Sequence, residues 1–136
     1  MTLAVTKALL LYGTITDMDA FKWELVRVMH KVGMPHPHCG YGGRFCTWMM
    51  KNYTEPYGSF GNGSAMRVSP VAWFAGSLDE CEKLAAATAE VTHNHPEGIK
   101  GAVVVAGAIY LARMGHSMAE IREYAERFYP IDFTLN

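Results

Sequence analysis

The chain has 136 residues, half of them hydrophobic and 18% charged, which suits a packed core and excludes a disordered chain. Its net charge of -1 gives no electrostatic case for nucleic acid or for an anionic membrane surface. Three widely spaced cysteines, Cys39, Cys46 and Cys81, argue against a disulfide framework and for a reducing, cytoplasmic setting.

The apolar run Leu3 to Tyr12 lacks a basic lead and a small-residue cleavage site, so it does not read as a secretory signal. It reads as a first helix from Met1 to Tyr12, ended by Gly13. Leu3, Ala4, Ala8, Leu9 and Leu11 wrap most of its circumference, which predicts a largely buried helix. Thr14-Ile15-Thr16-Asp17 offers caps for a second helix, Met18 to Val32. Phe21, Leu25, Val28, Met29 and Val32 form its apolar stripe, and Gly33 stops it.

Prolines and glycines punctuate Met34 to Gly43 throughout, so that stretch is irregular. A third helix, Arg44 to Asn52, precedes the glycine-rich turn Gly58-Ser59-Phe60-Gly61-Asn62-Gly63. A fourth then runs from Ser64 to Ala75, with Pro70 forcing a kink or a short first turn. Ser77-Leu78-Asp79-Glu80 and Ser117-Met118-Ala119-Glu120 match the capping box and open helices to Val91 and Phe128. Between them Pro96 starts a helix to Met114 that is rich in Gly and Ala, with Asn94 or His95 at its cap. Interior glycine weakens a helix, so close backbone packing must compensate, and this is read as the central helix. The segment Ala102 to Ala112 is too short to span a bilayer. With no alternating strand pattern, no repeat and no linker, the chain is expected to be a single domain, 1–136. The fold expected is a compact, orthogonal all-α domain of about seven helices with both ends packed.

The chemistry concentrates in few places. Three glycines and an asparagine within six residues free the backbone for positive φ, and bare amides feeding a helix start can hold phosphate oxygens. The same residues also suit a plain turn. Thr92-His93 lies at another helix junction and can share a cleft with it, with Arg67 either adding charge or making a structural ion pair. His36, His38, Cys39, Cys46, His93 and His95 are metal-ligand types, but no pair has zinc-site spacing. Asp17, Asp19, Asp79, Glu80 and Glu82 fall at helix starts, where the helix dipole favours acids. A Cys-His nucleophile, Cys39 or Cys46 with His93, has no local support.

Gly58 to Arg67 followed by Pro70 closely resembles the GNGxxMR-x-x-P segment of the ADP-ribosylglycohydrolase family. Thr92-His93-Asn94-His95-Pro96-Glu97 is similar to that family's T-H-x-H-P-E marker, and Met1 to Val5 looks like the helix after its first acidic motif. The resemblance implies an all-α fold that hydrolyses the glycosidic bond joining ADP-ribose to an acceptor, with two magnesium ions held mainly by acids. Carried over, Gly58, Ser59, Phe60, Gly61, Asn62, Gly63 and Ser64 would hold the diphosphate or ribose and His93 would face the ligand. Arg67, Thr92 and His95 would support them.

The family's Thr-Asp-Asp and Asp-x-Asp-Thr metal motifs are not found in these residues. The expectation is therefore a central fragment of the family domain with no metal cofactor. It would bind an ADP-ribose-type nucleotide with little or no hydrolysis, to sense or sequester it, and associate with itself to cover apolar surface. The alternatives are an active hydrolase whose metal site is completed otherwise, and an assembly subunit with a vestigial site.

Overall fold

Four of the described helices start at a side-chain cap. Asp17 accepts from the amides of Asp19 and Ala20 and opens α2 (Met18–Gly33). Ser77 accepts from Glu80 N–H at the start of α6 (Leu78–Glu90), while the Glu80 carboxylate takes the Gly76 amide instead of that of Ser77. Ser117 and Glu120 complete a reciprocal box on α8 (Met118–Glu126). His95 caps α7 (Pro96–Arg113), its ring accepting from Glu97 N–H, and Pro96 follows where no amide is needed.

The remaining helices are α1 (Thr2–Tyr12), α3 (Gly43–Met50), α4 (Gly63–Arg67) and α5 (Ser69–Phe74). The computed structural model describes residues 1–130, and these are all-α, with no strand. The packing expected for the C-terminal end falls on residues 131–136, outside the described residues. Among the described residues eight helices stand where about seven were expected. The difference is at Pro70, which has no N–H for the Met66 carbonyl, so the expected 64–75 helix divides into α4 and α5 at Val68.

The expected burial of α1 is corrected too. Ala4, Val5, Ala8 and Leu9 are buried against α2 and α5, but Leu3 is 75% and Leu11 58% exposed. One apolar face is used and the other is open.

The core runs from α1 through Phe21, Leu25 and Met29 of α2 to Val71 of α5 and Leu84 of α6. α7 packs against α4, α5, α6 and α8, as expected of a central helix. Its glycines permit this. A Cβ on Gly107 would lie 2.0 Å from the Tyr124 hydroxyl of α8, and one on Gly98 would lie 2.6 Å from the Ser59 carbonyl. None of the described helices is long and apolar enough to cross a membrane.

α3 and the segment after it are tied to α2 by His30. Its ring stacks on Trp48 at 4.4 Å and bridges the carbonyls of Met49 and Tyr53. Trp48 Nε1 donates to the Glu55 carbonyl, so the chain reaches Tyr57 and the glycine-rich turn along a fixed course.

Candidate functional site

The two sequence motifs hold each other. Gly58 N–H donates to Asn94 Oδ1 at 2.7 Å, and the amides of Tyr57 and Ser59 both donate to the Thr92 carbonyl. The Ser64 hydroxyl is buried and donates to the Gly98 carbonyl at the start of α7. The amides of Gly58 and Ser59 are thereby spent on the fold. Gly61 N–H turns inward to Ser59 Oγ at 3.3 Å. The amides of Phe60, Asn62 and Gly63 have no partner among the described residues.

The glycines of the turn serve different ends. Only Gly58 has positive φ, at 63°. A Cβ on Gly63 would press on the His93 ring at 3.1 Å, whereas one on Gly61 would meet nothing closer than 3.6 Å. Of the freedom for positive φ that the glycines offer, only Gly58 makes use; Gly63 serves close approach, and Gly61 has room.

Behind the turn stands a buried polar chain. Arg67 is 3% exposed and donates through one nitrogen to the Thr88 carbonyl and the Thr92 hydroxyl, each at 2.8 Å. Thr92 Oγ1 in turn meets His93 Nδ1 at 2.8 Å. Arg67 Nε is buried without a partner among the described residues. Burial holds the Arg67 guanidinium down to about 10, since removing a charge from water is costly. His93 is pushed down to about 4, first by burial and then by the positive charges of Arg67 and Arg44, so it is neutral at physiological pH.

A groove of about 610 Å³ opens in front of these groups, lined on one side by Ser59, Gly61, Asn62, Gly63, Arg67 and His93. Thr92 lies behind His93. Gly58, Ser64, Phe60 and His95 are not in the groove wall; Phe60 is exposed, its ring 5.4 Å from that of His95 at the rim. The opposite wall comes from residues the motif reading missed: Cys39 to Phe45 and Tyr57. Tyr41 and Phe45 pack edge to face at 5.3 Å, and Arg44 donates to the Tyr57 carbonyl while its guanidinium lies over the Tyr57 ring. The run Gly40-Tyr41-Gly42-Gly43 carried the only signal, an aromatic residue set among glycines.

Among the described residues no aspartate or glutamate lines the groove. Magnesium demands oxygen ligands, usually carboxylates, so the described residues do not fit the two ions that the family implies. The metal-ligand types noted above are not gathered either: among the described residues no three His, Cys, Asp or Glu side chains are placed to hold an ion. Asp17 caps α2, and Asp79 and Glu80 serve the start of α6, as helix-start acids do. Cys39 shares the groove with His93, but the Nδ1 edge of that ring is already engaged by Thr92. Burial pushes the Cys81 thiol up to about 11, which makes it an inert core group.

The profile of the ADP-ribosylglycohydrolase family matches residues 1–131. Over 63 residues the chain is 40% identical to "ADP-ribosylhydrolase ARH3" of Homo sapiens and of Bos taurus, and 38% identical to that of Gallus gallus. Each match covers 46% of this chain and 17% of the relative's length. No solved structure matches the chain.

Proposed function

From the premise that the chain belongs to the ADP-ribosylglycohydrolase family, we propose that the groove holds an ADP-ribose-type nucleotide and that these residues bind it without cleaving it. The observation that carries this reading is the charge of the wall. Arg67 and Arg44 face one groove, their hydrogen bonds go to neutral oxygens, and among the described residues no carboxylate lines the cleft. A buried cation without an anion raises the energy of the empty site, and a diphosphate relieves it. The free amides of Asn62 and Gly63 add donors beside it, and Tyr41 with Phe45 offers an aromatic surface for a base.

Cleavage needs more. A glycosidic bond breaks with the help of an acid, a base or a metal-activated water. Among the described residues the groove supplies a neutral histidine, the cations Arg44 and Arg67, the Met1 amine, a thiol and phenols, but no carboxylate, and affinity without transition-state stabilisation gives no turnover.

Titration calorimetry with ADP-ribose, with and without magnesium, tests the reading. Saturable binding in both conditions, with no ADP-ribose released from an ADP-ribosylated protein, is the expected result. Release that a chelator abolishes would establish the hydrolase instead. Silence in both calorimetric conditions would leave an assembly role.

A further inference from the structure

The chain Arg67, Thr92, His93 has only one consistent set of protons. A guanidinium donates and never accepts, so the Thr92 hydroxyl oxygen is the acceptor of the bond from Arg67. That hydroxyl is fully buried and has one proton to place. Its other hydrogen-bond neighbour among the described residues is His93 Nδ1 at 2.8 Å. If Nδ1 also carried a proton, the buried hydroxyl proton would have no acceptor, a loss costing about 1–3 kcal/mol.

We propose that Thr92, held in place by Arg67, locks His93 as its Nε2–H tautomer and so makes it a neutral hydrogen-bond donor to the groove. The Nε2 edge of the ring faces Gly63, whose missing side chain leaves that edge uncovered; a Cβ there would lie 3.1 Å away. Among the described residues Nε2 has no hydrogen-bond partner. Its acceptor is an oxygen of the bound nucleotide, and for that identity the proposal rests on the function proposed above. Thr92 and Arg67 are positioning residues; His93 makes the contact and does not act as a base from Nε2.

The surroundings keep the ring neutral. α4 presents the Arg67 guanidinium, α3 presents Arg44, and Tyr57 places its phenol ring 6.2 Å from the imidazole. α6 contributes the neutral Thr88 and the Ala89 carbonyl, which accepts His93 N–H. α7 touches His93 at Gly98, and its nearby carboxylate, Glu97, is paired with Lys100.

Two-bond ¹H–¹⁵N correlation spectra of the intact labelled protein read the tautomer directly, before and after ADP-ribose is added. Across pH 5.5 to 8 we expect an unprotonated Nδ1 and a protonated Nε2. An Nδ1–H tautomer, or an imidazolium near neutral pH, would overturn the proposal. Thr92→Val should mix the tautomers and weaken ADP-ribose binding about tenfold, and Thr92→Ser, which keeps the hydroxyl, should restore both. Failure of the serine variant to restore the tautomer would count against a hydroxyl-mediated lock. Should the valine variant not fold, the wild-type spectrum still decides. The Nε2–H tautomer without ADP-ribose binding would sink the function and leave the lock standing; binding with the other tautomer would do the reverse.

Discussion

Gly61 and Gly58 lie three residues apart in one turn and answer to different constraints. Gly58 holds φ at 63°, where a β-branched residue is strained, so Gly58→Val should cost about 1–3 kcal/mol of stability. Gly61 has room for a Cβ and no positive φ, and it lines the groove. Gly61→Val should therefore leave the denaturation midpoint nearly unchanged while abolishing ADP-ribose binding in calorimetry. Unchanged affinity would remove the turn from the ligand site. His93 gives a second test at this scale. It is neutral in the fold down to about 4, whereas in the unfolded chain it takes up a proton near 6.5. The unfolded state thus binds more protons between those values. The contribution is intact above about pH 6.5 and declines as pH falls toward about 4, by about 2 kcal/mol between pH 7 and pH 5. Urea unfolding at the two pH values should show a smaller difference for His93→Gln.

At the scale of elements, α7 owes its central place to what its glycines omit, and two of them can be told apart. Gly107 abuts the Tyr124 ring, whose hydroxyl donates to Glu82 and ties α8 to α6. Gly107→Ala should destabilise the fold by about 1–3 kcal/mol by displacing that ring, with ADP-ribose affinity kept. Gly98 abuts the Ser59 carbonyl and the His93 backbone, so Gly98→Ala should lower both stability and affinity by shifting the turn. Paired unfolding curves and calorimetric titrations check the contrast. The small-residue pattern of this helix was legible in the sequence because local composition dictates it, as were Ser117 and Glu120 of the capping box. Leu3 and Leu11 misled because an apolar pattern marks what a helix is able to bury, and the neighbours decide what it does bury. The site was half legible for a related reason. Gly58 to Gly63 and His93 announce themselves by motif, but Arg44 and Tyr41 reach the groove from the start of α3 and the loop before it, and Tyr57 from the segment that His30 and Trp48 fix between α3 and the turn. No local signal encodes that course. Nor does any short motif foretell that the Gly58 and Ser59 amides are consumed by Asn94 and Thr92.

For the whole molecule, a net charge of -1 conceals an uneven field. Many carboxylates are paired at the surface, as in Lys22 with Glu90, Arg27 with Glu24 and Lys83 with Asp79, whereas among the described residues the groove keeps Arg44 and Arg67 without an acid. Such a cleft attracts anions and repels divalent cations. Magnesium should accordingly fail to strengthen ADP-ribose binding, and at millimolar levels weaken it slightly by pairing with the free diphosphate. Chelation should change nothing. Raising sodium chloride from about 0.05 to 0.5 M should weaken ADP-ribose several-fold by screening, while adenosine, which carries no phosphate, should show almost no salt dependence. Calorimetric salt series for the two ligands, each repeated with magnesium, make the comparison. Equal salt slopes would mean that the arginines do not see the diphosphate. A magnesium-dependent gain in affinity would mean that oxygen ligands outside the described residues complete the site, and the case for binding without cleavage would fall with it.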